Sequence, residues 1–260
     1  MNFSLSASVK NALGISLPSN YVLKELNKDL IVIEPNNLYI LLYPYFTGIN
    51  NQALFSNDIK KQCIHVYQDQ WINRSEIVIS RIKNALGLSQ KIGARSCIVK
   101  KIDTKIASDF FEEHHLSGAC KAAHTIGLYN KDILCLAASF SKSRVMIDGE
   151  VYYRSYELIR FASAKNILVV GGLQKILNHF ILFKNVVHLM TYIDLNFGDG
   201  KGFEKFGFKK IGSAKMLSFY VNPNTNERMS AKTYESLQNI DFEPIVIKAN
   251  CTQKMVLDLR

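Results

Sequence analysis

The sequence predicts an α/β protein of the α+β kind: a small α/β unit over about residues 1–90, a mixed sheet with flanking helices over 93–222, and a β-rich tail over 223–260. Three observations carry this reading. Short apolar runs of strand length alternate with longer amphipathic runs of helix length. Turn signals built on Pro, Asn and Gly separate the runs. Of the 260 residues, 48% are hydrophobic and 21% charged, the balance of a chain that packs a core.

In the first unit, DLIVIE (Asp29 to Glu34) and LYILLY (Leu38 to Tyr43) are joined by Pro35, Asn36 and Asn37, which predicts a hairpin. Gln52 to Lys61 reads as a helix and Cys63 to Tyr67 as a short strand. From Asn73 to Leu86, Ile77, Ile79, Ile82 and Leu86 recur among charges, an amphipathic helix stopped by Gly87. Ser89 to Ala94 reads as a linker. The second unit opens with a strand at Arg95 to Ile102, then a helix capped by Asp103 or Thr104 and running to Glu113. Strands at Thr125 to Tyr129 and Ile133 to Phe140 flank the turn Asn130-Lys131-Asp132. A further strand spans Glu157 to Ala162, and Gly171-Gly172 opens a helix through Phe183. A buried strand (Val187 to Ile193), a short helix (Gly202 to Phe206) and a last strand or hairpin (Phe208 to Val221) complete it. The tail carries the turn Asn222-Pro223-Asn224 and two weak strands.

Composition narrows the function classes. No apolar run reaches the roughly 18–20 residues that span a bilayer, so no membrane partner is expected. The opening MNFSLSASVKNALG has neither a long apolar core nor a cleavage site. Five cysteines without a CxxC pair predict reduced thiols and a cytoplasmic location, so the Asn73 and Asn250 glycosylation-type triplets are chance matches. Thirty-two Lys and Arg stand against 22 Asp and Glu, and the net charge of +10 favours a polyanion, DNA first, through counterion release. A solvated basic surface is the plainer alternative.

Two stretches resemble GNAT N-acyltransferases. GFEKFGF (Gly202 to Phe208) resembles the segment in which an aromatic and a Gly-Phe pack the last helix of that fold. ELIRFASAKNILVVGGLQKIL (Glu157 to Leu177) resembles the strand, loop and helix that hold the pyrophosphate of coenzyme A. The resemblance implies an acyl-CoA site at Val170, Gly171, Gly172 and Leu173, where a helix N-terminus presents N–H groups to an anion. The family pattern has Gln or Arg ahead of the glycines and this chain has Val169-Val170; a tight strand-to-helix turn is the alternative role for the glycines. From Ile64 onward, IHVYQDQWINRSEIVISRIKNALG, KIGARSCIVKKI, FFEEHHLSGA, YELIRFASAKNILVVGG and YIDLNFGDGKGFEKFGF follow in an order and spacing that resemble bacteriophage proteins labelled homing-endonuclease-like. These join a very-short-patch-repair-type PD-(D/E)XK nuclease half to a GNAT-like half related to Mom-type DNA-modifying enzymes.

That second resemblance implies an acid pair on a hairpin. Asp29 matches the first acid, but LYILLY has no second one, and Glu34 lies only five residues from Asp29. A site with one acid binds Mg²⁺ poorly, so the N-terminal unit reads as a degenerate nuclease that does not cut. Arg74, Arg81 and Lys83 remain as candidate DNA contacts, for a DNA or a DNA-bound phage or host protein partner. In the GNAT-like half the resemblance places His115 and Asp194 at the ends of elements beside the central splay of the sheet. They are the candidate base–carboxylate pair, or the candidate ligands of a divalent metal; helix and strand capping is the alternative. His124, His179 and His188 read as core or surface residues. The phage group follows its Asp with Arg-Arg-Trp, and here Leu195-Asn196-Phe197 stands instead. The expected function is a DNA-associated binding protein, with a GNAT-like transferase acting on DNA or a protein amine as the alternative and an active nuclease as the third reading.

Overall fold

The computed structural model describes residues 3–45, 63–237 and 240–260. The chain divides into two compact units, Met1–Gly87 with Met216–Cys251 and Leu88–Lys215 with Thr252–Arg260.

The first unit begins with α1 (Leu5–Ser16), capped by the Ser4 side chain and burying Leu5, Val9 and Leu13 on one stripe. Strands β1 (Val22–Asn27), β2 (Leu30–Glu34), β3 (Leu38–Tyr43) and β4 (Cys63–Tyr67) form a sheet in that order. β2 and β3 make the expected hairpin, with Leu30 opposite Leu41 and Ile33 opposite Leu38. β4 lies parallel to β3. Helix α2 (Gln68–Ala85) starts five residues earlier than the periodicity predicts and buries Trp71, Ile77, Val78 and Ile82. The helix expected at Gln52 to Lys61 falls outside the described residues.

In the second unit, β5 (Gln90–Gly93), expected as a linker, pairs in parallel with β11 (Ile167–Val170). A 3₁₀ turn at Ala94–Ser96 leads into β6 (Ile98–Lys101), α3 (Thr104–His114), β7 (His124–Asn130), β8 (Ile133–Phe140), β9 (Arg144–Asp148) and β10 (Val151–Ser163). After β11 come α4 (Gly172–Lys184), β12 (His188–Asp194), α5 (Lys201–Phe206) and β13 (Lys209–Val221). β14 (Arg228–Ser230) and α6 (Ala231–Glu235) belong to the first unit, and β15 (Ile245–Asp258) contributes its residues from Thr252 on to the second. The main sheet of this unit runs β13-β15-β12-β10-β8-β7-β6.

Side-chain alternation along β8 puts the two helices on opposite faces. Ala137 packs with Ala162 and with Ala107, Phe110 and Phe111 of α3. Leu136, Ala138 and Phe140 pack with Leu158 and with Ile176, Leu177 and Phe180 of α4. Small residues on the first face let α3 approach closely, while Phe140 stacks on Phe180 at 3.7 Å on the second.

The stretch expected as an appended tail is shared between the units. Residues 216–251 belong with the first, where Arg228 grips the buried Asp69 at 2.6 and 2.8 Å and lies over the rings of Tyr67 and Phe219. Residues 252–260 belong with the second, where Thr252 to Asp258 pair antiparallel with β12. Gln253, Met255 and Leu257 alternate as its buried positions. That period-two signal is present in TQKMVLD, but its partner strand lies some 60 residues back, and one sequence does not name a partner.

Candidate functional site

The site is built around β10. Its pairing with β8 runs Leu158↔Phe140 and then Arg160↔Ser139, so Ile159 is an extra residue, a β-bulge. Without it Leu158 and Arg160 would share a face. With it, Leu158 stays in the α4-side core, and Arg160 turns to the α3 side with its partner Ser139. There the Arg160 Nε donates to the Gly118 carbonyl and its Nη1 to the Ile159 carbonyl, each at 3.2 Å. The loop after α3 is thus held against the bulge. Glu112 steadies the same loop, accepting the Ala119 N–H at 2.8 Å.

On its other edge β10 runs parallel to β12, but only from Ser155↔His188 to Leu158↔Thr191. Beyond that rung β10 continues to Ser163 beside β8, and β12 continues to Asp194 beside β15. The sheet therefore opens at the C-terminal ends of its central parallel pair. The Thr191 hydroxyl closes the apex, donating to the Leu158 carbonyl at 3.0 Å.

Helix α4 begins close by in sequence, after β11. Gly171 has φ +78°, the left-handed region that favours glycine. At Gly172 a Cβ would lie 2.6 Å from a Leu136 methyl and 3.1 Å from Val169, so glycine lets the helix sit directly on the sheet. The first backbone bond of the helix is Lys175 N–H to the Gly171 carbonyl, which leaves the N–H groups of Gly172, Leu173 and Gln174 without an intrahelical acceptor. Val170 is exposed. The Lys175 ammonium donates to the Ala94 and Cys97 carbonyls and so anchors the 3₁₀ turn.

The proposed chemical pair lies at this same end of the sheet, and each member is engaged locally. Asp194 ends β12, and its Oδ1 accepts from the backbone N–H of Asn196 at 2.9 Å and from the Asn196 amide at 2.6 Å. His115 is the C-cap of α3, and its Nδ1 accepts the Ser117 N–H at 3.1 Å. A neutral imidazole that accepts at Nδ1 carries its proton on Nε2, which suits a hydrogen-bond donor and not a base. Both residues make local hydrogen bonds of the kind the capping alternative expects. Among the described residues no three His, Cys, Asp or Glu side chains are gathered as metal ligands, so the metal reading of His115 and Asp194 gains no third ligand.

Asn196 is the residue that sequence reasoning passed over. It is buried, its amide nitrogen is committed to Asp194, and its Oδ1 meets no donor among the described residues. Buried acceptors are nearly always satisfied, but this oxygen is closed off from solvent, so a water or a ligand donor reaches it only after the side chains covering it shift. No local sequence pattern marks it; the unmet oxygen is a product of tertiary burial. On the α3 face a cavity of about 380 Å³ is lined by Phe111, Ala119, Cys120, Thr125 and Ser139 among others.

The candidate DNA contacts are not brought together. Arg74 and Arg81 are two turns apart with a kink at Arg74 itself, and Lys83 points some 160° away from Arg81 around α2. All three are half-buried. In the candidate nuclease hairpin Asp29 is buried, Leu41 and Leu42 fill the core, and Glu34 pairs with Lys24 at 2.7 Å. No carboxylate partner for Asp29 stands on β3.

No protein-family model and no curated protein matches the chain. Several solved structures are similar to it. A Bacillus subtilis acetyltransferase in complex with CoA aligns over 63% of this chain and 99% of its own, at 12% identity and a TM-score of 0.40. The ribosomal-protein-S18-alanine N-acetyltransferase of Escherichia coli aligns over 63% and 94%, at 12% identity and 0.41. A GNAT family acetyltransferase from Elizabethkingia anophelis with acetyl-CoA bound aligns over 63% and 99%, at 10% identity and 0.35.

Proposed function

We propose that the second unit is a GNAT-like N-acyltransferase domain that takes an acyl-CoA donor where β10 and β12 part. The observation that carries this is the open parallel pair, bulged at Ile159 and closed at its apex by Thr191. Beyond the Leu158↔Thr191 rung neither strand has the other as a ladder partner, and an extended amide-bearing chain such as pantetheine would lie between them as an added strand does. The residues present fit the donor in two further respects. The N–H groups of Gly172, Leu173 and Gln174 form an anion seat for a pyrophosphate. Asn196 Oδ1 becomes an acceptor for a pantetheine amide N–H once the side chains covering it shift, and Asp194 holds that side chain in place.

The reaction such a site supports is acyl transfer. The acceptor amine adds to the thioester carbonyl, the carbon–sulfur bond breaks, and the CoA thiolate leaves and is protonated as the amine loses its proton. We assign proton removal to no side chain, because the His115 tautomer described above does not suit it. The cavity on the α3 face, on the side to which Arg160 turns, is where we place the acceptor. Isothermal titration with acetyl-CoA, followed by thiol release in the presence of primary amines, tests the reading. Absence of binding at ~1 mM acetyl-CoA, only about −4 kcal/mol of affinity, overturns it.

A second reading, that the protein binds DNA or a DNA-bound protein, rests on the net charge of +10. Failure to retain duplex DNA at ~100 mM salt removes it. A DNA-modifying transferase joins the two readings, and modification of a DNA amine in the same assay distinguishes it from transfer to protein.

A further inference from the structure

The hairpin β9–β10 carries an unused strand edge. β9 (Arg144–Asp148) pairs with Val151 to Ser155 of β10, and among the described residues it is assigned no other strand. All five of its residues are exposed. Val145 is 61% exposed, Ile147 62% and Tyr152 71%, an apolar surface on an open edge. Native sheets usually blunt such an edge with charges, proline or a bulge; β9 has no proline and no bulge, and its charges, Arg144 and Asp148, stand only at its two ends.

The backbone fixes which groups are available. Asp148 and Val151 flank a two-residue turn, so they exchange hydrogen bonds, and every second residue along the ladder does the same. Arg144, Met146 and Asp148 therefore turn their N–H and C=O groups to β10. Val145 and Ile147 turn theirs to the open edge.

We propose that the occupant of this edge is a second copy of the chain, with β9 pairing antiparallel to its own symmetry mate about Met146. The sequence RVMID is self-complementary in that register. Val145 faces Ile147 of the other copy, and these are the residues whose backbone groups point outward. Met146 faces Met146. Arg144 faces Asp148, twice across the two-fold axis, so each end of the ladder is closed by opposite charges. Asp148 also takes a hydrogen bond from Arg260 at 3.1 Å, but its side chain remains 67% exposed and has room for a second guanidinium. The product is a continuous antiparallel sheet β10-β9-β9-β10, with Val145, Ile147 and Tyr152 of both copies on one face.

The test is the molecular mass of the full chain in solution, by sedimentation or light scattering from ~5 to ~200 µM, the range in which a small interface associates. The wild type is expected to move from 29.5 kDa toward twice that value. Arg144→Asp puts two acids opposite each other at both ends, and Asp148→Arg puts two arginines there. Each variant alone is expected to dimerise on the order of tenfold more weakly or worse, since like charges directly opposite repel. Mixed in equal amounts they form opposite pairs at both ends, and the heterodimer is expected to regain wild-type affinity. A variant that failed to fold would not be rescued by mixing, so recovery separates pairing from damage. A wild type that stays at 29.5 kDa throughout overturns the proposal. So does a dimer unmoved by either single change, or a mixture that stays monomeric.

Discussion

The hydroxyl of Thr191 donates to the Leu158 carbonyl over 3.0 Å, at the last rung where β10 and β12 still pair. Both partners are buried, Thr191 to 4% exposure and Leu158 to 2%. A side chain there does what a ladder N–H would do if the strands stayed together. Thr191→Val keeps the shape and removes the donor, leaving a buried carbonyl without that partner. The expected cost is about 1–3 kcal/mol of stability, read as a lower denaturant midpoint. A midpoint equal to that of the wild type would show that the bond contributes nothing.

Gly171 and Gly172 are expected to resist substitution for different reasons. An alanine Cβ at Gly172 meets Leu136 at 2.6 Å and Val169 at 3.1 Å, an overpacking cost of about 1–3 kcal/mol. At Gly171 the nearest atom is the Ala94 Cβ at 3.6 Å, so space is ample and the cost is the left-handed backbone, about 1 kcal/mol. Gly171→Asn, which tolerates φ +78°, should recover much of that stability. The same change at Gly172 should be worse than alanine. Thermal unfolding of the four variants measures this directly.

If the acyl-CoA reading holds, Asn196→Ala weakens acetyl-CoA binding by roughly tenfold, the value of about one good hydrogen bond. Asp194→Asn should act in the same direction and less strongly, because it disturbs only the hold on Asn196. His115→Ala should leave donor affinity unchanged. Calorimetry on the three variants distinguishes the roles, and an Asn196→Ala protein that binds as the wild type does would remove Asn196 from the site.

Stability should fall on acidification. Burial holds the His188 imidazole below its ordinary pKa; Asp258 opposes the shift, and Arg260 and Lys254 add to it. Its Nδ1 lies 2.7 Å from the buried Ser155 hydroxyl. His114 and His124 are shifted the same way, again mainly by burial. A histidine with its folded pKa lowered contributes stability that is complete above the unfolded value of about 6.5 and is lost as pH falls through the folded value. Denaturation series from pH 7.5 to 4.5 should show that loss, and His188→Gln should flatten part of it.

Much of the element list was legible along the chain, because it depends on local pattern. The β2–β3 hairpin follows from two apolar runs around Pro35-Asn36-Asn37. α3 starts after Asp103 as expected, though the Asp103 side chain makes no capping hydrogen bond, and α4 starts where Gly171-Gly172 opens it. Strand β9 was missed because RVMID has no buried face to impose a period, and all its residues are exposed. The linker expected at Ser89 to Ala94 is strand β5, since QKIG signals nothing until Ile167–Val170 lies beside it.

By itself the sequence determined an α/β chain of net charge +10, its local helices and strands, and the glycines that admit a helix to the sheet. Those features rest on neighbours a few residues apart. Only the tertiary structure decided that the last strand pairs with β12 and that Arg228 grips Asp69, 159 residues away. It alone decided that β10 and β12 part after Leu158 and Thr191, and that Asn196 keeps a buried oxygen without a donor among the described residues. The physical reason is that register, a bulge and an unsatisfied acceptor are relations between segments distant in sequence, set by which surfaces pack together.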